Sequence, residues 1–190
     1  MTNTDDFIWR MVKGCVQVGF VPDINNTVNM VPVDHVALCT SLAAVSLADT
    51  PLSVLHITAR PLPTFNELLS SLIQYGFRAE QCEYIAWRRK LEQHVMEAQD
   101  NALFPLLHFV LDDLPTSTKA PELDDSNTAA LLRSCKQAEN VTVSNELMGK
   151  YLAWLIDAEF LPPPSISTAK KSLPSLPTRT VVKAVGRSGS

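Results

Sequence analysis

The sequence predicts an α/β fold, mostly helical by residue count, with three or four short strands of the kind that join a parallel sheet. Three observations predict it. Apolar residues recur at helical spacing in several segments, and Phe65, Leu68, Leu69, Leu72 and Ile73 form the cleanest one-sided set. Short runs rich in branched residues, such as 53–58, lie between those segments. Finally, 46% of the 190 residues are hydrophobic, enough to fill the core of one modest unit.

Asn3 to Asp6 supplies capping side chains and first-turn acids, and Phe7, Met11, Cys15 and Val18 follow on one helical face, so a helix is predicted over 5–18, ended by Gly19. The other side carries Asp6, Arg10, Lys13 and Gln17, a polar stripe that faces water or a ligand. Residues 27–31 suit a short strand. Asp34 can then accept a hydrogen bond from the free donors of a helix running through Ala48, which is apolar on most sides and is expected to lie buried against a sheet.

Residues 53–58 read as a β-strand. Thr64 and Glu67 form a capping box ahead of the helix that Gly76 stops. Residues 82–85 suit another short strand, followed by a helix over 86–99 with Trp87, Leu91 and Val95 on one face. A further apolar helix is expected over 103–110, a loop over 115–125, and helices over 126–134 and 144–160, the last closed by Pro162, Pro163 and Pro164. Residues 1–164 are thus expected as one domain, and 165–190, rich in Pro, Ser and Lys, as a disordered tail.

Composition narrows the function. Sixteen basic against twenty acidic residues give a net charge of -4, which argues against nucleic acid or an anionic membrane surface as partner. The four cysteines are scattered without a Cys-x-x-Cys pair, as reduced thiols of a cytoplasmic protein would be. The apolar stretch 36–47 is too short and too rich in small polar residues to span a bilayer. His35 reads as a helix-start residue. His56, His94 and His108 lack ligand spacing, and the acid pairs at 112–113 and 124–125 have no further ligands nearby, so no metal is expected.

Catalytic signatures are absent too. The six glycines make no Gly-x-Gly-x-x-Gly loop for a dinucleotide pyrophosphate. Gly14 and Gly19 have the spacing of a triphosphate loop, but Phe20 and Val21 follow where Lys and a hydroxyl residue would stand. Tyr75, Tyr84 and Tyr151 are followed four residues on by Ala79, Arg88 and Leu155, so no Tyr-x-x-x-Lys pair exists and no catalytic residue is assigned.

The run Asn29 to Ala37, with Asn3 to Phe7, Lys13 to Cys15, Pro63 to Leu68, Tyr84 to Glu92, Asp100 to Phe109 and Leu114 to Pro121 in the same order, resembles the C-terminal half of a thioester reductase domain. The likeness covers roughly residues 3–164. It implies the C-terminal, helix-rich part of an extended short-chain dehydrogenase (Rossmann-like) fold, truncated at its N-terminal side. The implied chemistry is NADPH reduction of an acyl thioester held on a phosphopantetheine carrier; the nearest likeness is to members that make a semialdehyde from an aminoadipyl thioester in lysine biosynthesis. The family's catalytic Tyr and Lys have no counterpart here, so the isolated chain is expected to be inactive and to act with an acyl-loaded carrier domain and the missing N-terminal half. A non-catalytic fragment that binds a carrier or acyl chain, or a reductase fragment of another synthetase-like enzyme, stays open.

Candidate binding residues follow from that resemblance. Arg10 and Lys13 can hold a substrate carboxylate or the carrier arm's phosphate, against the plainer reading of a solvated helix face. Asn29, Met30 and Val31 can border the pocket where substrate meets nicotinamide, against an ordinary strand-to-turn segment. Arg88, Arg89 and Lys90 can dock an acidic carrier, against a solvated face with an Arg88–Glu92 pair. Trp87 and Trp154 read as core anchors.

Overall fold

The computed structural model describes residues 3–46, 54–98, 100–112, 114, 121–166 and 169–177. Helix α1, Phe7–Val18, starts where the Asp6 carboxylate accepts from the Ile8 N–H, and ends at Gly19, whose φ of 79° is the left-handed conformation that lets its N–H reach the Cys15 carbonyl. The chain enters β1, Phe20–Asp23, at once. Helix α2, Val33–Ser46, and helix α3, Phe65–Gln74, separate β1 from β2, Glu80–Glu83. The two strands pair in parallel, with Phe20 opposite Glu80 and Asp23 opposite Glu83. Strand β2 passes directly into α4, Tyr84–Glu97. A 3-10 turn over Phe104–Leu106 leads into α5, Leu107–Asp112, and α6, Ser126–Ser134, and α7, Asn145–Asp157, complete the element order among the described residues.

The core lies between this ribbon and the helices. Trp9, Met11, Val12 and Cys15 of α1, Val21 of β1, Leu68 and Leu72 of α3, Trp87 and Leu91 of α4 and Leu152 and Leu155 of α7 belong to one cluster. Trp87 is fully buried, and its indole N–H donates to the Phe20 carbonyl at 3.1 Å, so a single side chain ties α4 to the β1 backbone. On α3 both halves of the capping box form: Thr64 Oγ1 accepts from the Glu67 N–H and the Glu67 carboxylate from the Thr64 N–H.

Several sequence expectations are corrected. Residues 20–23 were not expected as a strand, because four residues containing Pro22 carry almost no local signal. The strand expected over 27–31 is an extended segment with a single antiparallel bridge, Thr27 to Thr64. Its Val28 N–H goes to the Pro63 carbonyl, a loop rather than a ladder. Of the strand expected over 53–58, Ser53 lies outside the described residues and 54–58 are not a strand, since side chains of α6 take the place of a neighbour: Asn127 donates to the Val54 carbonyl and Thr128 to the His56 carbonyl. The strand expected over 82–85 sits earlier, because Glu83 caps α4 through the Ala86 N–H and the helix begins at Tyr84.

Helix α2 is not buried against the sheet. Only His35 and Cys39 are enclosed, it packs against α6, and Val33 and Val45 are each 81% exposed. The two-stranded ribbon is packed by α1, α3 and α4, and α2 makes its contacts with α6 instead. Beyond Pro164 the described residues run past the end of α3: Ile166 donates to the Gly76 carbonyl and Lys171 to the Gln74 carbonyl, each at 3.0 Å, and Leu173 packs on the core. The rest of the 165–190 tail, residues 47–48 of the second expected helix, Gln99 of the fourth, and 115–120 of the expected loop lie outside the described residues.

Candidate substrate-side cleft

The largest of the described depressions, about 630 Å³, is built from four stretches of chain. Asn3, Asp6, Ile8 and Trp9 come from the start of α1, residues 28–31 and Val33 from the segment before α2, Lys150, Tyr151, Trp154 and Leu155 from α7, and Leu176 from the C-terminal run. Helix periodicity places the α7 residues, since 150 and 154, and 151 and 155, are one turn apart on a shared face. The Trp9 and Tyr151 rings meet edge to face with centroids 5.6 Å apart, forming a stiff aromatic floor. Burial, with a smaller push from the Asp34 carboxylate, raises the Tyr151 phenol above its ordinary range, so its hydroxyl stays protonated at neutral pH. The segment opposite is pinned where Asn29 Oδ1 accepts from the Ala59 N–H at 3.2 Å.

Asn29, Met30 and Val31 therefore line the cleft, whereas Arg10 and Lys13 do not. Arg10 donates to the Asp5 carboxylate at 2.6 Å and to the Ala102 carbonyl at 3.2 Å, and Lys13 Nζ stands 4.6 Å from the Phe160 ring centroid. Trp9, Lys150, Tyr151 and Trp154 were not singled out as binding residues from the sequence. Their signal was available, because the face of α7 that includes both Tyr151 and Trp154 is wider than a core contact needs. Trp87 and Trp154, read alike in sequence, part company: the first is wholly enclosed and the second is half-buried at the cleft.

Elsewhere the charges are engaged. Arg88 pairs with Glu92 at 3.2 Å, Lys90 Nζ sits 3.7 Å over the Phe20 ring, and Arg89 is exposed. In a second depression, of about 310 Å³, Arg60 grips Asp125 through two nitrogens, with Nε to Oδ2 at 2.5 Å, and Thr58 Oγ1 donates to Oδ2 at 2.7 Å. Those hydrogen bonds hold the Asp125 carboxyl at about 2.

The junction from β2 to α4 has no glycine, and the Glu83 carboxylate already occupies the helix N-terminus by accepting from the Ala86 N–H. A second anion placed there would meet that negative charge, so this junction does not fit a pyrophosphate. Among the described residues no group of three or more His, Cys, Asp or Glu side chains converges on a point, and no helix is long and apolar enough to cross a membrane.

The cleft belongs to a chain with extensive similarity to known proteins. It is 46% identical to the L-2-aminoadipate reductase of Schizosaccharomyces pombe, covering 99% of this chain and 14% of that protein. It is 45% identical to the L-2-aminoadipate reductase of Saccharomyces cerevisiae over 92% of this chain and 13% of that one, and 42% identical to the L-2-aminoadipate reductase large subunit of Penicillium chrysogenum, over 100% and 14%. The chain thus spans about one seventh of the length of these relatives, in their C-terminal part. No protein-family profile matches it. Among solved structures, the terminal R domain from the myxalamid PKS-NRPS biosynthetic pathway aligns with a TM-score of 0.69 at 23% identity, covering 86% of this chain and 41% of that domain, which shows the fold.

Proposed function

We infer that this chain, which belongs by sequence to the L-2-aminoadipate reductase family as a segment of its reductase region, forms the wall that receives the acyl group in a carrier-dependent thioester reduction. In that reaction NADPH, bound elsewhere in the enzyme, would supply a hydride to the acyl carbon of a phosphopantetheine-bound aminoadipyl thioester, whose C–S bond breaks to free the semialdehyde and leave the carrier arm's thiol. The nucleotide and the proton donor are assigned to other parts of the enzyme, in keeping with the Glu83-capped junction and the missing Tyr-x-x-x-Lys pair.

The observation that carries the reading is the cleft itself. Trp9, Tyr151, Trp154, Met30, Val31 and Leu176 offer apolar surface on several sides, suited to the methylenes of an acyl chain, each worth about 0.8 kcal/mol when fully buried. Asn3 and Asn29 supply amides for the carrier arm. Arg10 and Lys13 do not line this cleft, so an anion that they hold is bound at another surface. Carrier docking on α4 is proposed chiefly through Arg89, since Arg88 and Lys90 are engaged by Glu92 and Phe20.

Titration calorimetry of the purified chain with an S-hexyl pantetheine thioether, a stable stand-in for an acyl arm, tests the reading. Binding is expected, weakened roughly tenfold by Trp154→Ala and unchanged by Arg89→Ala, as loss of one aromatic wall requires. Absence of binding to the unaltered chain overturns it.

A further inference from the structure

Resting on the assignment of this cleft to an acyl group, we propose that Lys150 and Asp6 select an acyl chain that ends in an amino-acid head, Lys150 taking its carboxylate and Asp6 its ammonium. They are the two charged residues of the lining, they have opposite sign, and they come from different elements, α7 and the start of α1. The rest of the lining is apolar, aromatic or amide. Both are exposed, so a ligand bearing one charge engages one of them and leaves the other to solvent, whereas a zwitterionic head engages both.

The other depressions lack this property. The one beside Pro121 has its opposite charges, Arg60 and Asp125, already joined. The depression beside Pro61 has Glu67 as its one charged residue, spent in the capping box of α3. The one beside Pro32 carries Asp34 but no Lys or Arg to oppose it. Near the cleft, Arg10 is likewise unavailable because Asp5 holds it. Lys150, by contrast, is exposed and has no ion-pair partner among the described residues, and of the Asp6 carboxylate one oxygen accepts from the Ile8 N–H. A cation at Asp6 meets the positive end of the α1 dipole, so the two charges of the head contribute unequally and need separate probes.

Four pantetheine thioethers of equal length, ending in an amino-acid head, a carboxylate, an ammonium or a methyl group, separate these terms by calorimetry on the full chain. The amino-acid probe is expected to bind roughly tenfold more tightly than the methyl probe, the scale of two well-formed ion pairs at exposed side chains. Lys150→Met keeps the aliphatic stem and should abolish the preference for probes with a carboxylate. Asp6→Asn keeps a capping side chain on α1 and should abolish the preference for probes with an ammonium. Melting curves establish that both variants fold. Equal binding of all four probes, or preferences unchanged in both variants, overturns this assignment while leaving the acyl cleft standing. Failure of every probe to bind overturns the cleft reading and this assignment with it.

Discussion

The ring of Tyr75 lies so close to Gly149 that a Cβ added at residue 149 would stand 2.4 Å from its Cζ and hydroxyl oxygen, and that hydroxyl donates to the Asn145 carbonyl at 3.1 Å. One contact therefore sets how closely α7 approaches the end of α3. Tyr75 is buried and cannot swing aside cheaply. Gly149→Ala gains roughly 1 kcal/mol of helix propensity but forces a contact whose cost is typically about 1–3 kcal/mol or more. The expected result is a net loss of stability in urea unfolding, with the melting temperature lowered. A variant as stable as the parent would show that the two helices can slide apart freely.

Asp125 should make stability acid-sensitive. Its folded carboxyl, held at about 2 by the Arg60 and Thr58 hydrogen bonds, sits below its ordinary value of 3.8. A depressed folded value means the contribution is complete above about pH 4–5 and is lost as pH falls toward 2, because the unfolded chain binds the proton first. Melting curves between pH 2 and 6 should show Asp125→Asn losing stability at pH 6 by about 1–2 kcal/mol and showing a weaker acid dependence than the parent. Parallel curves for the two proteins would contradict this.

Thiol reactivity should divide the cysteines by burial. Burial pushes the Cys15 thiol far above its ordinary range and also raises Cys39 and Cys82, while Cys135 is half-exposed at the end of α6. Iodoacetamide at pH 8 is expected to modify Cys135 first and to leave Cys15 intact until denaturant is added, as peptide mass analysis would record. Early labelling of Cys15 in the native protein is the outcome that refutes it.

The Thr64 and Glu67 caps should behave as one unit. Thr64→Ala and Glu67→Ala each remove one half of a reciprocal pair, at about 0.5–2 kcal/mol, and the double variant should cost less than the two losses added. A double-variant cycle by urea unfolding measures the coupling; strict additivity would mean the two bonds act independently.

The α helices were legible because their causes are local. Asp6, Thr64 and Ser144 cap the helices that follow through backbone N–H groups two or three residues on, and the apolar spacing that marks α1, α3 and α7 is also a matter of near neighbours. Strands were misplaced because pairing is non-local. Residues 20–23 become a strand only because Glu80 to Glu83 lie beside them, whereas the β-formers at 54–58 find α6 side chains instead. The apolar character of α2 was read correctly, but its surroundings were not, since which element it packs against is set by distant parts of the chain.

The sequence by itself determined the helices, their caps, the absence of a dinucleotide loop and of a Tyr-Lys pair, and a likeness to the rear of a thioester reductase domain. It also drew attention to Asn29, Met30 and Val31, which line the cleft. Only the tertiary structure decided what stands across from them. Trp9, Lys150, Trp154 and Leu176 are separated by up to most of the chain's length, and folding brings them around one space. It likewise engaged Arg10 with Asp5 and left Lys150 without an ion pair among the described residues, a difference that charge composition cannot express. The physical reason is that hydrogen bonds along one helix are fixed by neighbours in sequence, while a cleft and its free charges are fixed by which distant faces bury one another.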